Sequence, residues 1–374
     1  MTKDTQRLVV CMLDGFGMDY FGAQPLPTLQ RMAAQGFFRQ VNAVMPSVTN
    51  ANNVSICCGA YPEDHGITGN SYFNERTGEA DYMESATFLL EPTIIQRAAT
   101  RGIASALLTS KKKTINLLGG GATIAVAAEE PPPEFTARYG APADIYSREI
   151  NYWLWEVAAD LLATRPDLGL LYVHTTDYPM HAWAPEEPES REHLTTLDTL
   201  LGKALAAAPD AAFLVTADHG MNYKTRCWDL EKACAERGMP LRFALSAEKD
   251  RYVRHHRTFG GAAWVWLRTP DDAERAAKVL RGLDGVEQVL SRGEAAKRFR
   301  LLPERIGELV VLGDKDTVFG EMPDACEELD ARYRSHGSLH ELAVPLIAYN
   351  HGTLLPPQET ITTNLDLTRA LYRE

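Results

Sequence analysis

The sequence predicts an α/β fold with a mostly parallel central sheet sandwiched by helices and a smaller inserted α+β cap. The first observation is that short apolar runs alternate with helical patterns along most of the 374 residues. The second is a composition of 45% hydrophobic and 24% charged residues, which is typical of a globular protein with a large core. The third is a strand-helix-strand-helix block that interrupts this alternation late in the chain.

The predicted strands of the sheet are runs in which nearly every residue is apolar, a pattern typical of strands buried on both faces. LVVCML at 8–13 comes first, and further strands are predicted at 104–108, 169–174, 212–217 and 344–349. Helical patterns lie between them, at 27–35, 93–100 and 192–207. Alternation of this kind favours parallel strands with helices on both faces of the sheet.

The core is assigned to residues 1–240 and 325–374, and the inserted cap to residues 241–324. Within the cap, AAWVWL and GVEQVL are predicted strands, each followed by a helix, over 271–283 and 292–300. A lid segment is predicted at about 111–146, where EEPPPEF marks a rigid, turn-rich stretch. Arg254, His255 and His256 could line the cap side of the pocket or lie on the surface.

Residues of the kind that bind metals follow three of the predicted strands. Asp14 follows the first, Asp177 follows GLLYVH, and the pair Asp218-His219 follows AFLVTA. Because ligands of open α/β sheets bind beyond the carboxyl ends of the strands, we expect these side chains to share one site. Carboxylate and imidazole groups suit zinc, manganese or iron.

Each of these motifs alone also has a structural explanation. The ADHG segment could be a turn in which the aspartate caps the backbone. Asp177 and His181 are four residues apart, which on a helical turn places their Cβ atoms about 5–6 Å apart. They could then bind one ion or simply each other. His336, in RSHGS, could be a surface histidine.

Thr49 lies in PSVTN, after a turn at Pro46 and Ser47 and at the start of a predicted helix. Its hydroxyl could cap that helix. It could also be a nucleophile, because a helix N-terminus favours phosphate and a bound metal would activate the hydroxyl. Local sequence alone leaves both interpretations open.

Charge, cysteine usage and hydropathy limit the expected partners. A net charge of −12 excludes the basic footprint typical of nucleic-acid-binding proteins, whereas a small anionic substrate remains compatible because a metal site reverses the local field. The 6 cysteines form no CxxC pattern, so we expect reduced thiols and a cytoplasmic protein. We expect no signal peptide and no membrane span. A homodimer is compatible with the sequence.

The order and spacing of these motifs resemble the alkaline phosphatase superfamily, in its nucleotide pyrophosphatase/phosphodiesterase branch. Within that branch the chain looks like the phosphonoacetate hydrolases. The segments that carry the resemblance cover most of the chain and are MPSVTNANNVSICCGAYPEDHGITGNSYFNERTGE, TSKKKTINLLG, TTDYPMHAWAPEEPES, TADHGMN, RIGELVVLGDKDTVFG and RSHGSLHE. The resemblance implies an alkaline phosphatase-like core with two divalent metal ions, expected to be Zn²⁺, with Mn²⁺ or Fe²⁺ as alternatives.

The resemblance also implies the residues that bind these metals. One ion is expected at Asp14, Thr49, Asp218 and His219, and the second at Asp177, His181 and His336.

Two further motifs concern the substrate. Asn70, in GITGN, matches a catalytic asparagine that donates to a phosphoryl oxygen, and Lys111 and Lys113 match a pair that binds the substrate carboxylate. The segment reads SKKKT, so Lys112 makes the middle position basic as well, which leaves open which lysines face the site. A solvated surface patch is the alternative for this basic run.

The activity that the resemblance implies is cleavage of the C–P bond of phosphonoacetate to acetate and phosphate, through a phosphothreonine at Thr49. Two ions about 3.5–4 Å apart would flank the displacement at phosphorus. One alternative is a phosphodiesterase or nucleotide pyrophosphatase on the same core, which would need an aromatic slot for a base. A metal-binding protein without catalysis is a third hypothesis, and the presence of Thr49 beside a full ligand set argues against it.

Overall fold

The computed structural model describes residues 6–251 and 257–373; His255 and His256, suggested for the cap side of the pocket, lie outside these ranges. Within the described residues, a seven-stranded sheet forms the centre of the molecule. In spatial order its strands are Phe37–Asn42, Ala343–Tyr349, Ala212–Thr216, Leu8–Met12, Leu168–His174, Ala104–Thr109 and Ile124–Ala127. Ala343–Tyr349 runs antiparallel to both neighbours and the other neighbouring pairs are parallel, which confirms the predicted mostly parallel sheet.

Leu8–Met12 lies in the middle of this sheet, and all of its residues are apolar and buried. It pairs in parallel with Leu168–His174 on one side and with Ala212–Thr216 on the other. Met12 is opposite both His174 and Thr216, so the three strands end at the same level. The residues that follow them therefore lie together at one edge of the sheet.

Helices flank the sheet as predicted. Those of the core are Met18–Gly22, Pro27–Gln35, Thr49–Cys58, Pro62–His65, Ile94–Thr100, Lys112–Leu118, Pro133–Tyr139, Glu149–Thr164, Tyr178–Ala182, Pro188–Ala207 and Leu230–Glu236. Glu149–Thr164, which packs against Pro188–Ala207, has no counterpart among the predicted helices. Pro27–Gln35 ends at Gly36 because the chain passes very close to the sheet there. A Cβ atom on Gly36 would lie 2.2 Å from the carbonyl oxygen of Ala348.

The predicted cap residues form a second sheet, which has four antiparallel strands in the described residues. In spatial order these are Phe243–Ser246, Ala262–Trp266, Leu309–Gly313 and Val286–Ser291, accompanied by the helices Ala273–Arg281 and Arg292–Phe299. Successive residues of the second strand face opposite sides. Ala263 and Val265 belong to one apolar cluster, whereas Trp264 and Trp266 belong to another.

One face of the cap sheet packs against the segment that leads into the helix Thr49–Cys58. Trp264 and Trp266 share a buried apolar cluster with Met45, Val48 and Ala51. The cap therefore touches the part of the core that carries Thr49. Treating residues 241–324 as a separate domain stays a prediction.

The predicted lid segment at 111–146 contributes a strand to the central sheet. Ile124–Ala127 pairs in parallel with Ala104–Thr109 and forms the edge strand. The helix Pro133–Tyr139 follows it. A lid function for this segment stays a prediction.

Short strands complete the described fold. They are Ser71–Asn74, Glu79–Tyr82, Asn222–Tyr223, Arg226–Trp228, Thr317–Phe319, Cys326–Glu328 and Arg334–Ser335. No helix in residues 6–251 or 257–373 combines the length and the apolar character that crossing a membrane requires.

The loop before Thr49 is held by one buried side chain, that of Asn52. Its Oδ1 accepts a hydrogen bond from the amide of Val44 at 2.8 Å, and its Nδ2 donates to the carbonyl oxygens of Val44 and Pro46, each at 3.0 Å. Asn364 also donates to the Oδ1 of Asn52, at 3.0 Å. The position of Thr49 thus depends on an internal hydrogen-bond network.

We expect Asn52→Leu to lower the free energy of unfolding by about 3 kcal/mol or more, because each buried polar group left unpaired costs about 1–3 kcal/mol. Urea denaturation would measure the change. The control is Thr199→Ala on the exposed face of Pro188–Ala207, which should stay within about 0.5 kcal/mol of the unsubstituted protein. A loss below about 1 kcal/mol for Asn52→Leu would contradict the anchoring role.

Candidate active site and metal centre

The residues after the three central strands lie together at one edge of the sheet. They are joined there by one histidine from the helix Tyr178–Ala182 and one from the segment after Arg334–Ser335. The buried set comprises Asp14, Asp177, His181, Asp218, His219 and His336. The structure therefore places all six side chains predicted as metal ligands in one region, and their role as ligands stays a prediction.

Asp14, Asp218 and His219 form one group in which a donor atom from each lies within 4.8 Å of the others. Nε2 of His219 lies 3.5 Å from Oδ1 of Asp14 and 3.5 Å from Oδ2 of Asp218. The hydroxyl of Thr49 borders this group, 3.5 Å from Oδ1 of Asp14 and 3.4 Å from Nε2 of His219. The predicted nucleophile and the predicted ligands of the first ion are thus neighbours.

Thr49 is the first residue of the helix Thr49–Cys58, and Val48 occupies the N-cap position. The alternative that the Thr49 hydroxyl caps this helix is therefore wrong. The reason is a shift of one residue at the helix start, which turns the hydroxyl toward Asp14 and His219 instead of toward the first turn of the backbone.

Asp177, His219 and His336 form a second such group. It differs from the predicted set, in which His181 takes the place of His219. The Nε2 of His181 lies 2.9 Å from Oδ2 of Asp177, and the Nε2 of His336 lies 3.7 Å from the same oxygen. His181 is the imidazole nearest to Asp177, whereas Nε2 of His219 also lies 3.5 Å from Oδ1 of Asp14, and the set with His181 stays a prediction. The rings of His219 and His336 stack with 3.6 Å between centroids, so the two groups are adjacent.

All three histidines are oriented by a hydrogen bond from the outer ring nitrogen. Each Nδ1 contacts a backbone carbonyl oxygen: that of His181 meets Arg334 at 2.8 Å, that of His219 meets Gly220 at 2.9 Å, and that of His336 meets Ser47 at 2.8 Å. Because a carbonyl oxygen only accepts, Nδ1 carries the proton and Nε2 presents its lone pair to the site. Histidines that bind metals usually make such an outer hydrogen bond.

Two buried atoms of the site, Oδ2 of Asp218 and Nε2 of His336, have no hydrogen-bond partner among the described residues. Burial and then the charge of Asp14 raise the pKa of Asp218 well above its usual value. Burial and then the neighbouring His219 hold the pKa of His336 well below its usual value. Polar atoms of this kind are costly to bury unless something binds them. A divalent cation at each group would satisfy these atoms and balance the acidic charge, so the residues fit a metal site.

Asn70 lies beside the start of the helix Thr49–Cys58. Its Oδ1 accepts from the amide of Asn50 at 3.1 Å, and its Nδ2 lies 3.1 Å from Oε2 of Glu248 and 3.3 Å from the carbonyl oxygen of the same residue. Glu248 is a buried residue that no sequence motif singles out. Its Oε1 lies 3.7 Å from Nε2 of His336, so it also borders the second group.

Lys111 faces the site between the two groups. Its Nζ lies 3.3 Å from Oδ2 of Asp14 and 3.6 Å from Oδ1 of Asp177. The other oxygen of each aspartate lies beside an imidazole, that of His219 for Asp14 and that of His181 for Asp177. The ammonium group thus lies between carboxylates of the two groups.

The other two lysines of SKKKT have different surroundings. Lys112 is exposed and pairs with Glu130 on the surface. Lys113 is buried, with 5% of its side chain exposed, and pairs with Asp250 of the cap. The extra basic residue in the middle of the segment therefore points away from the site, and Lys113 reaches the boundary between core and cap.

His174, the last residue of the strand Leu168–His174, is a second site residue that the motifs did not single out. Its Nε2 lies 3.4 Å from Oδ2 of Asp14, and its Nδ1 lies 3.0 Å from the hydroxyl of Thr109. Burial lowers the pKa of its imidazole. Its position at a strand end, level with the end of the strand before Asp14, was the available signal.

Residues 8–338 match the family described as type I phosphodiesterase / nucleotide pyrophosphatase. A bis(5'-adenosyl)-triphosphatase of Mus musculus is 28% identical over 241 residues, which cover 62% of this chain and 51% of that relative. The ectonucleotide pyrophosphatase/phosphodiesterase family member 7 of Homo sapiens is 26% identical over 227 residues, which cover 58% of this chain and 48% of the relative. The chain spans about half the length of these relatives.

Solved structures match over nearly the whole chain. Phosphonoacetate hydrolase from Sinorhizobium meliloti, in complex with phosphonoformate or with phosphonoacetate, is 30% identical, with TM-scores of 0.86 and 0.85. Each match covers 98% of this chain and 94% of that one. A murine ectonucleotide pyrophosphatase / phosphodiesterase 5 has a TM-score of 0.69 at 17% identity, covering 92% of this chain and 88% of that one. The matches confirm the predicted alkaline phosphatase-like fold.

We expect the purified chain to bind two divalent ions, and His336→Ala to weaken binding at the second group. The loss should exceed the roughly 10–100-fold that removal of an outer-shell partner costs, because Nε2 itself is removed. Equilibrium dialysis followed by metal analysis measures the affinity and the stoichiometry. His340→Ala, which changes a histidine paired with Glu287 away from the site, is the matched control. Wild-type stoichiometry and affinity in His336→Ala would rule out this residue as a ligand.

Proposed function

We propose that this chain, which belongs to the type I phosphodiesterase / nucleotide pyrophosphatase family and is a hydrolase of phosphorus compounds, cleaves phosphonoacetate to acetate and phosphate through a phosphothreonine at Thr49. The observation that carries this proposal is the position of Lys111 beside Asp14 and Asp177, with Thr49 next to the other carboxylate oxygen of Asp14. The similarity to a phosphonoacetate hydrolase over 98% of the chain supports the same substrate.

The proposed ligands divide into two sets. Asp14, Thr49, Asp218 and His219 would hold one divalent ion, and Asp177, His181 and His336 the other. When bound, two such ions supply positive charge to the attacking and leaving sides of phosphorus and lower the pKa of the coordinated hydroxyl. Zn²⁺ is the ion we propose, because carboxylate and imidazole donors suit it.

Thr49 supplies the nucleophile. Its hydroxyl gives its proton to water, Oγ1 forms a bond to phosphorus, and the P–C bond breaks with its electron pair moving to the methylene carbon. The adjacent carboxylate delocalises this charge as an enolate, and a proton from water then completes acetate. A second water molecule attacks the phosphothreonine, releases phosphate and restores the hydroxyl.

Three other residues act on the substrate. Asn70, oriented by the amide of Asn50 and by Glu248, is the proposed donor to a phosphoryl oxygen. Lys111, between the two acidic groups, and Lys113, at the boundary with the cap, are the proposed partners of the substrate carboxylate. Burial lowers the pKa of Lys111, but Asp14 and Asp177 outweigh burial and raise the pKa above its ordinary value, so the ammonium stays charged. A fixed cation at this position stabilises the enolate as it forms.

A phosphodiesterase or nucleotide pyrophosphatase activity is the second candidate. Tyr178 directly follows Asp177, and its ring lies 6.3 Å from that of Tyr146 and 5.9 Å from that of Trp183. All three rings are partly exposed, and together they offer an aromatic surface of the kind on which a nucleobase stacks.

We expect Thr49→Ala to abolish phosphorylation of the protein, because no hydroxyl remains to attack phosphorus, while metal stays bound. Acid quenching during turnover, followed by mass spectrometry, detects phosphothreonine. Thr49→Ser is the matched control, since it retains a hydroxyl and should form phosphoserine at the same position. Undiminished turnover by Thr49→Ala would remove this residue as the nucleophile.

We expect Lys111→Met to lower kcat/KM for phosphonoacetate by about 10²–10³-fold, the usual effect of losing one electrostatic contact to the developing charge. Lys112→Met, which changes the exposed neighbour, is the matched control and should retain full activity. Phosphate release from phosphonoacetate is compared with nitrophenol release from a nitrophenyl phosphodiester, with metal content measured for each variant. Full activity of metal-loaded Lys111→Met on phosphonoacetate would show that Lys111 does not contact the substrate carboxylate. A preference of the unsubstituted protein for the diester would favour the second candidate function.

A further inference from the structure

The ion pair between Lys113 and Asp250 joins the core to the cap at the edge of the site. Lys113 lies in the helix Lys112–Leu118, which follows the sheet strand Ala104–Thr109. Asp250 lies shortly after the cap strand Phe243–Ser246. Only 5% of the lysine side chain and 3% of the aspartate side chain are exposed, so both charges are buried.

Asp250 belongs to a short segment of the cap that runs along the site. Two residues earlier, Glu248 contacts Asn70 at 3.1 Å and lies 3.7 Å from His336. Lys113 is two residues after Lys111, whose Nζ lies between the two acidic groups. The residues two positions before each partner, Lys111 and Glu248, therefore both border the site.

From this placement we infer that Asp250 is a specificity-determining residue. Its negative charge weakens binding of a substrate that carries a second anionic group, because that group and Asp250 compete for Lys113. The inference rests on the proposed function, since it concerns the carboxylate end of the same substrate.

The physical reason is the cost of placing two carboxylates beside one buried ammonium. Lys113 has three N–H donors, so it can contact both carboxylates, but the second one enters a region already neutralised by the first. Like charges a few ångströms apart repel much more strongly in a protein interior than in water. Whether the substrate displaces Asp250 or shares Lys113 with it, the negative charge of Asp250 weakens binding of a substrate that carries a distal carboxylate.

A purely structural role predicts the opposite result. If Asp250 only orients Lys113 for the substrate, removal of its charge would leave the lysine side chain less well positioned. Binding of a substrate with a distal carboxylate would then become weaker. The sign of the effect therefore separates the two roles.

The test compares Asp250→Asn with the unsubstituted protein. Asparagine has nearly the same shape and its Oδ1 still accepts a hydrogen bond from Lys113, so the substitution removes charge and little else. Two ligands are used, phosphonoacetate and phosphonoacetamide, which differ only in the charge of the distal group. Competition with inorganic phosphate, which lacks that group, reports on the phosphoryl end of the site.

We expect Asp250→Asn to increase the preference for the acid over the amide by about tenfold, which corresponds to about 1.4 kcal/mol. The change should arise in KM and in the binding constants rather than in kcat, and phosphate inhibition should change much less. Glu130→Gln is the matched control, because it neutralises the partner of Lys112 on the surface and should leave the ratio unchanged.

An unchanged ratio, or a ratio that shifts toward the amide, would overturn the inference. If Asp250→Asn does not fold, Asp250→Ser supplies the same comparison with a smaller neutral side chain, and the same signs apply. The proposed function fails separately, when the unsubstituted protein does not release phosphate from phosphonoacetate. If the unsubstituted protein turns over phosphonoacetate but Asp250→Asn leaves the preference for phosphonoacetate over phosphonoacetamide unchanged, only the role of Asp250 is wrong.

Discussion

The parallel pairing of Leu8–Met12 with the strands on either side is the constraint on which the site depends. The register places the ends of three strands at one level, and Asp14, Asp177 and Asp218 follow those ends. A slip of one residue in any of these strands would turn its side chains to the opposite face of the sheet. Since the three runs are mostly apolar and almost entirely buried, packing on both faces holds the strands in place while the polar residues collect at and just beyond their ends.

The cost of this arrangement is a concentration of buried negative charge. Burial and the neighbouring Asp177 raise the pKa of Asp14, but Lys111 and His174 outweigh them and lower it to about 2. At Asp218, burial and the charge of Asp14 prevail, and its pKa rises well above the usual value. The site thus contains more carboxylate than its own cations can balance. Divalent ions are the ligands that would correct this imbalance, which is the electrostatic reason for a metal centre here.

The cap contributes to the site through packing and through charge. Its sheet shares an apolar cluster with the segment that leads into the helix Thr49–Cys58, so Thr49 is positioned partly by residues of the cap. Glu248 then reaches Asn70, and Asp250 reaches Lys113. The core supplies the groups that we propose to act on phosphorus, whereas the cap borders the end of the site proposed for the rest of the substrate. Variation in the cap is therefore a route by which one core serves substrates with different distal groups.

The sequence by itself determined the α/β class and the region that gathers the six acidic and histidine side chains. It also determined the central strands to within about one or two residues, which is the usual uncertainty of element boundaries. These features follow from local patterns, because an apolar run, its polar end and the spacing of a motif are all contained in a few neighbouring residues. Tertiary structure alone decided that Lys111 faces the site while Lys112 points to solvent, and that Val48 and not Thr49 occupies the N-cap position. It also decided that Glu248, Asp250 and His174 border the site. These outcomes depend on contacts between segments far apart in the chain, and on the exact residue at which a helix begins, which a local pattern does not specify.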